Sequence, residues 1–154
     1  MITWITAIIV FAIDMLTKYW IAGHEELFNV VIIPNLFHIT YSTNTGMAFS
    51  LLNNQTILLT IISAIAIMWL SYYAITKPMN KFKQFVFGLL IGGAFGNFYD
   101  RLFLGYVRDF LDFYIFGYNY PVFNVADSAL TIGILLLVII TLREEKDGST
   151  NVDS

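Results

Sequence analysis

From Ile57 to Ile75 the sequence carries no charged residue, and three further stretches come close to the same condition. Ile2 to Ala22 is broken among charges only by Asp14 and Lys18, Phe82 to Phe98 is apolar and rich in glycine, and Val122 to Leu142 contains only Asp127. Each approaches the ~20 residues a helix needs to cross a hydrocarbon layer about 30 Å thick. Composition points the same way. With 58% hydrophobic and 12% charged residues and a mean hydropathy of +0.72, eight Lys+Arg and eleven Asp+Glu cannot coat the surface of a soluble domain. The expected fold class is an all-α polytopic membrane protein. Its four transmembrane helices fall at about 2–22, 57–75, 82–101 and 122–142 and form one domain over 1–143. The first apolar stretch lacks a basic leader and holds two charges, so it reads as a retained helix rather than a cleaved signal. The tail 144–154 is polar and has no aromatics, which predicts a disordered cytoplasmic end.

Basic residues orient these helices. Lys77, Lys81 and Lys83 crowd the second connection, and Arg143 and Lys146 follow the fourth stretch, whereas the segment from Gly23 to Thr56 has no Lys or Arg. Excess Lys and Arg marks the cytoplasmic side, so both termini are expected there and the two longer connections outside. In the first of them, FNVVII (28–33) and LFHITY (36–41) are β-branched and aromatic, with Pro34-Asn35 between them as a turn. This predicts a small extracytoplasmic β-sheet in the first outer loop. Trp4, Trp20, Trp69, Tyr72 and Tyr73 fall near helix ends, where an interfacial belt would place them.

Several function classes are excluded or starved of material. A net charge of −3 offers no basic stripe for nucleic acid. The absence of cysteine removes disulfides, thiolate metal sites and a Cys nucleophile, and two histidines, His24 and His38, leave little for a metal site or a Ser-His triad. Ser128, beside Asp127, reads as a plain helix serine. Gly88, Gly92 and Gly96 recur every four residues and predict a bare helical face that a neighbouring helix approaches closely.

The intramembrane charges remain. Each is expensive in lipid, so each needs a reason. Asp14 and Lys18 stand i,i+4 with the acid first, the favourable order for a helical ion pair. Asp127 sits near the outer end of the fourth helix, where an N-terminus attracts a carboxylate. Asp109 and Asp112 lie in the preceding connection, and either could fold back onto Asp127; spacing does not choose between them. Two adjacent carboxylates share a proton, one acting as acid and the other as base toward water. An oxygen-ligated metal site built from Asp100, Asp109, Asp112 and Asp127 is a lesser option. A small proton-coupled carrier or a non-catalytic scaffold would carry the same aspartates.

The motifs separate these readings. They are Asp14-Met-Leu-Thr-Lys18, Asn44-Thr-Gly46-Met-Ala48-Phe49-Ser50, Gly92-Gly-Ala-Phe-Gly-Asn97-Phe-Tyr-Asp100-Arg101, Gly105-Tyr-Val107-Arg-Asp109-Phe110 and Phe123-Asn124-Val-Ala126-Asp127-Ser128. In order, spacing and helix position the chain resembles the bacterial lipoprotein signal peptidases (signal peptidase II) over essentially its whole length. The resemblance implies an aspartic endopeptidase with Asp109 and Asp127 as the catalytic pair and Asp112 outside it. It also implies that Asp14, Lys18, Asn44, Gly46, Asn97, Asp100, Arg101 and Asn124 support the site or bind substrate, with Arg101 best suited to pair a carboxylate through both arms of its fork. The implied substrates are diacylglyceryl-modified prolipoproteins, cut before the lipidated cysteine on the extracytoplasmic side of the bacterial plasma membrane. The expected enzyme is a monomer that needs lipid around it but no nucleic acid, cofactor or metal.

Overall fold

The computed structural model describes residues 1–46 and 54–150, with side chains through 146. Met47 to Ser50 of the second motif, and 151–154 of the tail, lie outside the described residues. Four long helices carry the chain: α1 (Ile2–Ala22), α2 (Thr56–Thr76), α3 (Lys81–Leu104) and α4 (Val125–Thr150). Three of them, α1, α2 and α4 over Val125–Lys146, are long and apolar enough to cross a membrane. The remaining one, α3, lies against all the others and buries a nearly continuous run from Val86 to Ala94. The result is a mostly helical membrane protein with its core wrapped around α3. Val86, Phe87, Leu90 and Ile91 from α3, Ala7 from α1 and Leu70 from α2 make the principal cluster.

The glycines of α3 permit this closeness. A Cβ on Gly88 would sit 2.5 Å from Thr6 Cβ and 2.7 Å from the Thr3 carbonyl oxygen; one on Gly92 would sit 2.6 Å from the Ala7 carbonyl oxygen. At Gly96 the added atom would run into the Asp14 carboxylate. A Cβ on Gly93, on the next face, would sit 2.6 Å from the Ala126 carbonyl oxygen of α4. The stripe therefore lets α1 touch backbone to backbone, and the neighbouring position does the same for α4. Gly92→Ala is expected to cost about 1–3 kcal/mol, the usual penalty of overpacking, because its neighbours are the Ala7 backbone and Val10 Cβ, none of which can rotate away. Thermal unfolding in detergent should show the loss, and an unchanged midpoint would contradict the packing.

A four-stranded antiparallel sheet, ordered β1-β2-β3-β4, joins the helices. The hairpin β1 (Val30–Ile33) and β2 (Phe37–Asn44) comes from the first connection and turns at Asn35, which holds a positive φ of 58°. The other half was not expected. β3 (Val107–Ile115) and the two-residue β4 (Tyr118–Asn119) lie between α3 and α4, so the sheet is assembled from both connections rather than from the first alone. β3 pairs Asn44 with Val107 and Ser42 with Asp109, then His38 with Asp112 after an irregularity in β2. Its first four residues are all buried, so the alternation that betrays a half-exposed strand is missing.

The ends of the helices correct two further expectations. α3 runs on to Leu104 and stops at Gly105, whose φ of +80° supplies the left-handed cap. α4 continues to Thr150, so residues 144–150 are helix and not coil. Glu144, Glu145 and Lys146 are strong helix formers, and Glu144 meets Lys83 Nζ at 3.0 Å.

Candidate active site

The site is built where α4 begins. Asn124 precedes the helix; its side-chain oxygen accepts from the Asp127 N–H at 2.9 Å, while an Asp127 carboxylate oxygen accepts from the Asn124 N–H at 3.3 Å. This reciprocal arrangement is a capping box with Asp in the acidic place. It orients the Asp127 side chain by the same contacts that start the helix. A second carboxylate helps from another helix, since Asp14 Oδ1 of α1 accepts from the Ala126 N–H at 2.9 Å. Together these satisfy donors that a helix start otherwise leaves open.

Asn124 also reaches the other predicted partner. Its side-chain amide donates to Asp109 Oδ1 at 2.6 Å, and Asn44 on β2 donates to Asp109 Oδ2 at 3.0 Å. Asn97 on α3 donates to Asp127 Oδ1 at 2.7 Å and accepts from Asn124 at 3.1 Å and from Lys18 Nζ at 3.2 Å. Asp109 and Asp127 are thus brought to opposite sides of one asparagine. Asp112 is not part of this arrangement. It points from the other face of β3 and accepts from Thr40 Oγ1 at 2.8 Å.

The expected catalytic pair and all eight of its expected supporting residues belong to one connected network. Lys18 meets Asp14 at 2.7 Å and Asp100 at 3.4 Å, all three with no side-chain exposure. Asn44 accepts from the Gly46 N–H at 2.9 Å, and Arg101 Nη2 donates to the Gly46 carbonyl at 2.9 Å. Arg101 does not take the carboxylate-pairing role expected of it. That role falls to Arg108, which sequence reasoning missed: its Nη2 and Nε donate to the two oxygens of Asp100 at 2.7 and 3.2 Å. The only hint in the sequence is an arginine set among Val107, Asp109 and Phe110, which demands a partner.

Asp109 is 2% exposed, and burial, reinforced by the negative charge of Asp127, pushes its carboxyl up to about 7 against the hydrogen bonds from Asn44 and Asn124 that hold it down. Asp127 is half-buried and lines a cavity of about 710 Å³ between α2, α3 and α4. Asn97 and Arg101 stand with it in the cavity wall, and Leu59, Ile62, Leu130 and Ile134 give the rest an apolar character. Two carboxyls able to share one proton, at the edge of a greasy groove, can donate and accept a proton at one bond.

Known proteins share the sequence and the fold of this chain. The family described as Signal peptidase (SPase) II matches residues 6–143. The chain belongs to the signal peptidase II family. It is 45% identical to a lipoprotein signal peptidase of Francisella tularensis subsp. novicida (strain U112) over 92% of each chain. It is 43% identical to a lipoprotein signal peptidase of Trichormus variabilis (strain ATCC 29413 / PCC 7937), over 94% of this chain and 91% of the relative. A solved bacterial membrane enzyme, determined in meso at 2.3 Å, superposes with a TM-score of 0.87 at 38% identity, covering 94% of this chain and 90% of its own. A second, at 1.9 Å, gives 0.81 at 39% identity. Signal peptidase II enzymes are proteases of the membrane, and the described helices agree with that setting.

Proposed function

We propose that this chain removes the signal peptide from diacylglyceryl-modified prolipoproteins by aspartic catalysis at Asp109 and Asp127, cutting before the lipidated cysteine. The observation that carries the reading is Asn124, which binds Asp109 through its side-chain amide and Asp127 through its backbone N–H and side-chain oxygen. With one proton shared, the protonated carboxyl polarises the scissile carbonyl while the carboxylate deprotonates a water, giving a tetrahedral gem-diol; return of protons to the leaving amine completes cleavage. The helix start at Asp127 favours its carboxylate form, which biases the shared proton toward Asp109. Asn97, beside Asp127 in the cavity wall, fixes that carboxylate. Arg101, in the same wall and held by the Gly46 carbonyl, has a buried Nε with no protein partner among the described residues and is available to a substrate carbonyl.

The apolar cavity suits the signal peptide, which enters sideways from lipid between α2 and α4 while its acyl chains stay in the bilayer. In this reading α3 spans the membrane as the fourth helix, both termini are cytoplasmic, and the sheet with the dyad lies on the extracytoplasmic side of the plasma membrane. Lys77, Lys81 and Lys83 support that orientation. Single cysteines should report it: Glu26→Cys labels with an impermeant reagent in intact cells, and Pro78→Cys only after permeabilisation. Labelling of Pro78→Cys in intact cells would overturn the orientation. The function itself is tested by incubating the pure protein in lipid with a diacylated prolipoprotein. Release of signal peptide is the expected result; intact substrate after prolonged incubation with folded protein sinks the proposal.

A further inference from the structure

Arg108 stands apart from the expected site residues, yet both its main chain and its side chain are held. Its backbone N–H donates to Asp100 Oδ2 at 3.0 Å, its Nε to the same oxygen at 3.2 Å and its Nη2 to Asp100 Oδ1 at 2.7 Å. Its carbonyl accepts from the Asn124 amide at 3.4 Å. The guanidinium lies 4.3 Å over the Tyr19 ring, with Nη2 3.9 Å from Met15 Sδ, and the residue is 3% exposed. One carboxylate of α3 therefore grips both the main chain and the side chain of the residue that leads directly into Asp109. The planar fork and the stacked ring lock the side chain in one pose, which a flexible ammonium cannot reproduce.

We propose that Arg108 is a positioning residue for Asp109, anchoring the start of β3 to Asp100 so that Asp109 is presented to Asn44, Asn124 and Asp127. The proposal rests on the peptidase reading for its kinetic consequences only. The side chain of Arg108 points away from Asp109, as neighbours on a strand do, so it acts through the backbone. Displacements of about 1 Å at a reacting group can cost 10²-fold in rate. A loosened strand would also weaken the hydrogen bonds from Asn44 and Asn124, the contacts that hold the Asp109 carboxyl down.

The test uses Arg108→Lys, which keeps the charge, and Arg108→Gln, which removes it, in the full-length protein with a diacylated prolipoprotein. Arg108→Lys should lower kcat about tenfold or more with KM within threefold, and Arg108→Gln should lower it further. In both, the high-pH limb of the rate should move to higher pH, because Asp109 loses its fixed donors. If Arg108→Gln fails to fold, Arg108→Lys decides. Infrared difference spectra of each Arg108 variant against its Asp109→Asn derivative follow the Asp109 carbonyl stretch through its titration without turnover. An upward shift there supports the positioning role even if the wild-type protein cleaves nothing, in which case the functional reading alone fails. Wild-type kcat per folded molecule, or a lowered melting temperature with an unmoved Asp109 titration, would overturn the proposal.

Discussion

Asp109→Asn and Asp127→Asn should each lower kcat by about 10³-fold or more, in the upper range of what a general acid or base contributes, while substrate still binds. Asparagine keeps the shape of the side chain and one of the two accepting oxygens that each aspartate presents to its amide donors, but it cannot exchange a proton. The double variant should be little worse than either single one, since the two act as a unit. Asp112→Asn should keep substantial activity, because Asp112 is bonded to Thr40 on the far face of β3. The rate in the wild-type protein should be bell-shaped in pH. Asp109 is held up at about 7, so the shared proton is present below that pH and lost as pH rises through it, and the rate falls on the alkaline side. Both limbs belong to the pair rather than to one residue. Two fully active single variants would refute the mechanism; a dead Asp112→Asn beside an active Asp109→Asn would refute only the assignment.

The second large effect is expected at Asp14. With Lys18, Asp100 and Arg108 it forms a buried set of two acids and two bases. Asp14→Asn leaves that set with one excess positive charge where side-chain exposure is nil at Lys18 and Asp100. Breaking a buried pair in this way costs about 3–5 kcal/mol. Folding yield and thermal midpoint should fall sharply, with residual cleavage by the molecules that do fold. Asparagine can still accept from the Ala126 N–H, so the start of α4 survives in them. Adding Lys18→Met restores neutrality and should recover part of the yield, although the contact to Asn97 is lost. A folded Asp14→Asn protein that binds substrate and turns nothing over would place Asp14 in the chemistry instead.

Much of this architecture is legible in the sequence because the signals are strong and local. Apolar runs set the starts of the four helices to within three residues, and the glycine spacing announced the face that receives α1. The choice of Asp109 over Asp112 was different. Both lie on β3, three residues apart, and only the motif separated them; the structure places them on opposite faces of the strand. β3 itself was hidden because burial of Val107, Arg108, Asp109 and Phe110 erases its period. Arg108 was missed because its partner, Asp100, lies across the Gly105 turn, and Arg101 offered a nearer and more familiar candidate. The helical extension past Leu142 has no apolar stripe and rests on propensity and one ion pair at Lys83, which composition alone does not reveal.

The four buried charges also bear on the order in which the chain is made. Asp14 and Lys18 sit one turn apart on α1, and Asp100 and Arg108 flank the Gly105 turn, so each acid has its base within the same short length of nascent chain. The first helix can leave the translocon with its charges already neutralised, and the third can follow with Arg108 arriving just behind Asp100. None of these four ions has to wait in lipid for a helix not yet synthesised, where it would cost several kcal/mol. The bond between the halves, Lys18 to Asp100, forms last, when α3 docks on α1 along its glycines. Assembly of the bundle and completion of the catalytic support are then the same event.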